Sequence, residues 1–197
     1  MNLIETTTLG SADFPIAELK DQLRLGTGFT DSGAQDGLLE TCLRAAMGAI
    51  EARTSKILIR RRFSWNLRAW RLDGETQAFS VSPVTYIFYL RMVAANGTWV
   101  AIDPSSITLI LDDQRPKAML QNQSFPQIDA GGSAEFSISA GYGAWNEIPA
   151  GLRQAMLMLA ASYYENRDGM INGGGQIPFG VSALLEPYKR IRLGAAP

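Results

Sequence analysis

The clearest hydrophobic pattern in the chain lies over residues 136–168. Phe136, Ile138 and Ala140 alternate with Ser137, Ser139 and Gly141, the period of two expected of a strand with one buried face. Gly141 and Gly143 then break the strand around Tyr142, since glycine reaches backbone angles closed to other residues. Pro149 opens a helix, where its missing N–H costs nothing. Leu152, Ala155, Met156, Leu159, Ala160 and Tyr163 follow at helical spacing and form one apolar stripe. Leu157 and Met158 widen that stripe, so the helix is expected to pack on two sides, with Gly169 as its stop.

The same patterns divide the rest of the chain. Residues 1–12 are polar and threonine-rich, an arm or short strand that either hangs free or lies on a neighbouring molecule. Asp13 and Pro15 predict the start of a short helix with Ile16, Leu19 and Leu23 inward and Gly26 and Gly28 at its end. A second helix is expected from about residue 35 to 53, with Leu39, Cys42, Leu43, Ala46, Met47 and Ile50 on its apolar face. Ala45, Ala46, Gly48 and Ala49 keep part of it thin, so either the helix starting at Pro149 or another subunit can approach closely.

From Lys56 to Arg68 the period changes to two. Ile57, Ile59, Phe63, Trp65 and Leu67 fall on one side, with Arg61 the single charge among them. Lys56, Arg60, Arg62 and Arg68 fall on the other. Strand patterns recur at 79–81, 84–93, 99–102, 107–111, 117–120 and 134–140. Asn96-Gly97 predicts a hairpin turn, because both residues tolerate positive φ. The fold class is therefore α+β: a small antiparallel helical bundle with an antiparallel β-sheet insertion between the second and third main helices. The expected divisions are 1–55 (arm and two helices), 56–147 (β insertion), 148–172 (long core helix) and 173–197 (linker, short helix and tail). Gly173 to Gly175 read as the linker, and Val181, Leu184, Leu185 and Tyr188 as the apolar side of the last helix.

Composition narrows the function by removing chemistry. The 197 residues suit one domain or one domain with an insertion, and 46% hydrophobic content is enough for a core. There is no histidine, which removes the usual general base and the commonest metal ligand. One cysteine permits neither an intrachain disulfide nor a cysteine-rich zinc site. No GxxxxGK[ST] phosphate loop is present, and Asp112-Asp113 lacks the spaced ligands of a calcium loop. The chain is read as a non-enzyme with no cofactor or metal. With no basic-then-apolar leader and no run of about 18 apolar residues, it is expected to be made in the bacterial cytoplasm and not to enter a membrane.

Net charge is −1, but the charge is unevenly placed. Seven basic residues and no acid lie between Ala52 and Leu72, whereas from Asp103 to Glu147 only Arg115 and Lys117 oppose the acids. The run Arg60-Arg61-Arg62 has three readings: a solvated strand face, a contact with another subunit or protein meeting acids such as Asp112, Asp113 or Asp129 on a neighbour, or a surface that touches DNA phosphate without sequence preference.

The string AGYG followed by IPAGLRQAMLMLAASYYENRDG resembles the head–tail connector (adaptor) family of long-tailed phages and of phage-like particles such as gene transfer agents. The segment from Ile177 to Tyr188, with a basic tail, looks like that family's C-terminal signature. The resemblance implies a structural protein forming a homo-dodecameric ring between the portal and the stopper or tail proteins, in the neck of the particle, with DNA passing non-specifically through the channel. It implies portal binding through Val181, Leu184, Leu185, Tyr188, Lys189, Arg190 and Arg192. The matched charges point to a subunit interface with Arg60, Arg61 and Arg62 facing Asp112 and Asp113. Two other readings stay open: a tail-completion protein of the same particle, and a stand-alone β-sheet binding module using Trp65, Trp70, Tyr86, Tyr89 and Trp99 as a platform.

Overall fold

A computed structural model describes residues 2–25, 35–166 and 177–189. Strand β1 (Asn2–Glu5) is followed by a single 3-10 turn and helices α1 (Ile16–Gln22) and α2 (Asp36–Thr54). Eight strands come next: β2 (Arg61–Leu67), β3 (Leu72–Asp73), β4 (Thr76–Ala78), β5 (Val84–Val93), β6 (Trp99–Ile102), β7 (Ile107–Ile110), β8 (Lys117–Leu120) and β9 (Ser133–Ala140). Helices α3 (Ala150–Glu165) and α4 (Phe179–Leu185) close the described chain. The α+β class holds: the helices and antiparallel strands separate into two compact units, one spanning 1–9 and 59–142 and the other 10–58 and 143–197.

The sheet unit contains two antiparallel sheets, ordered β1-β2-β9-β5-β6 and β3-β4-β8-β7. β9 is the centre of the larger sheet because its side chains are buried almost throughout, as suits a strand with neighbours on both edges. In register, Trp65 faces Phe136 across β2 and β9, and Leu90 faces Phe136 across β9 and β5. Trp65, Phe79 and Phe136 form a tilted cluster with ring centroids 5.1–5.7 Å apart. Aromatic pairs of this kind add about 0.5–1.5 kcal/mol each beyond area burial. Phe79 follows β4 and Trp65 lies on β2, while β7 packs against β5, so the two sheets stack in the same order.

The strand forecast for 56–68 is shorter than its alternation suggested. Leu58 is buried together with Ile57 and Ile59, so no face of 57–59 is left for water, and pairing with β9 begins only at Arg61. The Leu58 N–H instead donates to Glu51 Oε1 at 2.9 Å. Lys56, expected on the exposed side, is buried. The Asn96-Gly97 hairpin is present, but only Gly97 takes a positive φ, at 85°. The Gly97 N–H donates to Ala94 O, and the Ala94 N–H to Thr98 O, the longer loop that ends on one left-handed residue. The N-terminal arm does not hang free at its start: β1 pairs with β2 of its own chain. At the far end of β9, Gly141 has φ 122° and a Cβ there would stand 2.5 Å from Arg60 Cα, so only glycine fits.

In the helical unit α3 is central, packing against α1, α2 and α4, as its two-sided apolar pattern foretold. Leu39, Leu43, Ile50, Leu152 and Leu159 are fully buried. Each contributes roughly 1.5–3 kcal/mol before chain entropy is subtracted. Of the alanines and glycines of α2 only Ala46 is buried in this packing. Ala45 and Gly48 are exposed, and α2 meets α3 through its larger side chains. Asp13 does not cap α1; its carboxylate reaches back to the Gly10 N–H at 2.7 Å, and Pro15 occupies the N-cap. Gly26, Gly28, Gly169 and the glycine linker 173–175 lie outside the described residues.

Candidate interaction surfaces

The three arginines of the basic strand have different environments. Arg61 points to the apolar side of β2, as its place in the alternation requires, and is 6% exposed. Its Nε lies 3.0 Å from Glu5 Oε2 on β1, its Nη1 donates to Ile59 O at 3.2 Å, and its guanidinium faces the Phe63 ring. Arg61 is thus a structural residue of its own sheet rather than a surface contact, which corrects the expectation for that position. Arg60 and Arg62 remain on the surface. Arg60 donates to Tyr142 O at 2.7 Å, and Arg62 stacks 3.7 Å above the Phe88 ring. Stacking on an aromatic face attracts the cation and holds a long side chain that would otherwise wander.

Asp112 and Asp113 are exposed in the turn after β7. Asp112 Oδ1 accepts the backbone N–H groups of Gln114 and Arg115 at 2.7 and 2.6 Å, so part of its role is to shape the turn. Asp103 caps the 3-10 turn that joins β6 to β7, and bonds from the Ser105 side chain and N–H hold its carboxyl below the ordinary 3.8. Asp73 is likewise lowered by its bond to Lys117, and Glu40 by Ser11 and then Arg44.

The open face of the larger sheet carries a polar centre that sequence reading missed. Glu135 on β9 accepts from Ser64 Oγ at 3.0 Å, Tyr89 Oη at 3.1 Å and Arg91 Nε at 2.9 Å. Arg91 also lies 5.2 Å from the Tyr89 ring and 5.4 Å from Trp99. The signal was available: Glu135 is the one acid in a serine-alternating strand, and register sets it beside Arg91 on β5. Of the five aromatics considered as a platform, Trp65 is 1% exposed and belongs to the core, while Trp70 is half-buried, packed on Phe125 and donating to Pro126 O. Tyr86 and Trp99 are exposed and Tyr89 is half-buried.

In the C-terminal segment, Val181 and Leu185 are sealed into the helical unit's own core. α4 approaches α3 so closely that a Cβ on Gly180 would meet Met158 Cε at 3.1 Å, and Tyr188 lies against Gly151. Those two apolar side chains are therefore turned inward in this conformation, where an anchor would present them outward. Leu184 and Tyr188 are half-buried, and Lys189 is exposed and paired with Glu186. Phe179, absent from the expected set, is 88% exposed at the start of α4. Arg190 and Arg192 lie outside the described residues.

Among the described residues no group of three His, Cys, Asp or Glu is placed to hold a metal, and no helix is long and apolar enough to cross a membrane. What the surface offers is an arginine stacked on an aromatic ring, exposed acids on turns and apolar side chains on edge strands. No family model and no curated protein matches the sequence. Solved structures do. A chain in the neck of an empty gene transfer agent particle, computed with C6 symmetry, is 42% identical with TM-score 0.88 over 100% of both chains. A chain in the virion of the native particle is 41% identical with TM-score 0.86, over 100% of this chain and 99% of that one. One from the neck of the native particle, computed with C12 symmetry, is 37% identical with TM-score 0.83 over 100% of both. The chain belongs to this family of gene transfer agent neck proteins, in keeping with its resemblance to the head–tail connectors.

Proposed function

We propose that the chain is a non-enzymatic adaptor that forms a ring in the neck of a gene transfer agent or phage particle, between the portal and the stopper or tail proteins. The observation that carries this reading is full-length similarity, above a third of residues identical, to chains from such necks. The C6 and C12 symmetries of those assemblies support a ring of repeated copies, dodecameric in the second case. DNA leaving the head would pass through the ring, and any contact would be to phosphate and weaken with salt.

In this reading the helical unit is the body of the adaptor and the sheet unit an insertion that reaches its neighbours. Arg60 and Arg62 serve as the basic half of a subunit interface and Asp112 and Asp113 as the acidic half, matched charges that fix register and exclude wrong partners more than they add affinity. Leu184, Tyr188, Lys189, Arg190 and Arg192 serve the portal. Removal of 174–197 tests this. The truncated protein is expected to fold, with some loss of stability because Val181 and Leu185 go with it, and to stop co-sedimenting with portal-bearing heads. Normal co-sedimentation would overturn the portal role.

A further inference from the structure

Most of the large apolar side chains that the described residues expose lie in the strands at the margins of the sheet unit. Ile4 is on β1 and Leu72 on β3; Trp99 and Val100 are on β6, Ile110 on β7 and Leu111 directly after it. β1 and β6 are the two edges of the larger sheet, β3 and β7 those of the smaller. Because the sheets stack in the same order, β6 and β7 form one open side and β1 and β3 the other. Val100 is 70% exposed and Leu111 73%.

Edge strands offer unpaired N–H and C=O groups, and proteins normally blunt them with lysine, proline, inward charge or a bulge. β6 is Trp-Val-Ala-Ile with none of these, and in β1 the single charge, Glu5, is turned onto Arg61 of the same chain. The two sides also differ in charge. Arg60, Arg62, Arg68 and Arg71 are exposed on and beside β2, toward β1 and β3, whereas Asp103, Asp112 and Asp113 are exposed at the ends of β6 and β7. The exceptions are Asp73, which is paired with Lys117, and Glu75 on the β3 side, and Arg115 on the β7 side.

Building on the ring reading above, we infer that copies of this chain meet edge-on through their sheet units, the β6–β7 side of one against the β1–β3 side of the next. A head-to-tail contact between two different sides is what a closed ring requires, and a contact that matched each side with itself would stop at a dimer. The apolar edges are covered and backbone groups of adjacent copies pair, as in strand addition. The opposed charges set the order and disfavour like against like.

The test is cross-linking within assembled rings of the full chain. Ile4→Cys and Val100→Cys are introduced together and treated with a short bis-maleimide; the unsubstituted chain, whose Cys42 is buried, is the control. The inference predicts a ladder that climbs past the dimer to the full ring, no ladder from either single variant, and none from the control. A dimer from Val100→Cys alone shows a self-matched edge and overturns the inference. So does an absence of bonds between copies in rings that imaging shows to be intact, or cross-linking only to the portal; both leave the ring reading standing. Failure of the unsubstituted chain to form any ring, alone or on the portal, removes both. As a second variant, Val100→Lys places a lysine in the edge and should lower ring number by about tenfold or more. Undiminished rings from a folded Val100→Lys protein would also overturn it.

Discussion

The helical unit and the sheet unit solve the same packing problem to different degrees. Around α3 the apolar stripes of α1, α2 and α4 converge, and only Tyr163 and Phe179 remain exposed among the large hydrophobics described there. The sheet unit closes a tight aromatic core on Trp65, Phe79 and Phe136, yet leaves apolar side chains on both open sides. A helix satisfies its backbone within itself, whereas a sheet always ends in strands whose outer groups seek a partner. On the edge-on reading proposed above, the difference separates the part of the chain that packs on itself from the part that a neighbouring copy would cover.

Substitutions of one chemical kind should therefore have opposite consequences in different places. Phe136→Ala empties the centre of the sheet unit and should cost about 3–5 kcal/mol in chemical denaturation. Leu185→Ala, in the helical core, should cost about 2–5 kcal/mol, whereas Leu111→Ala should stay within about 0.5 kcal/mol and register only in assembly. Equal losses at Leu185 and Leu111 would erase the contrast. Glu5→Gln leaves Arg61 buried without its anion; because the Glu5 side chain is itself partly exposed, the cost should be about 1–2 kcal/mol. Arg60→Glu with Arg62→Glu should leave thermal unfolding nearly unchanged and reduce ring formation, and intact rings would return both residues to plain solvent exposure.

The smallest effect concerns pH. Asp73 and Asp103 have carboxyls lowered in the fold relative to the ordinary 3.8, so the ionised forms stabilise the sheet unit above about pH 4. That stability fades as pH falls through the lowered values. Asp73→Asn should be slightly less stable than the parent at neutral pH and indistinguishable from it near the acid end, as read by melting temperature against pH.

Much of this was legible in the sequence where periodicity is strong. The stripe on α3, the apolar face of α2 and the inward place of Arg61 follow from spacing alone, as does β9 as a strand, but the single buried face expected of β9 does not hold, because Glu135 and Ser137 on its polar side are buried as well. Short elements were not, because two- and three-residue strands such as β3 and β4 have no period to detect. The burial of Lys56 and Leu58 was hidden because alternation assumes one wet face, and that segment has none. The packing of Val181 and Leu185 on their own unit was hidden for a related reason: an amphipathic helix announces that it has a partner without saying whether the partner is its own chain. The Glu135 network depends on register between strands distant in sequence, which single-strand patterns do not contain.

The most direct test of the central claim is single-particle imaging of the purified chain mixed with portal. The account predicts rings of repeated copies seated on the portal, joined through their sheet units. A chain that stays monomeric beside well-formed portal, or attaches as isolated copies without contact between them, would contradict it.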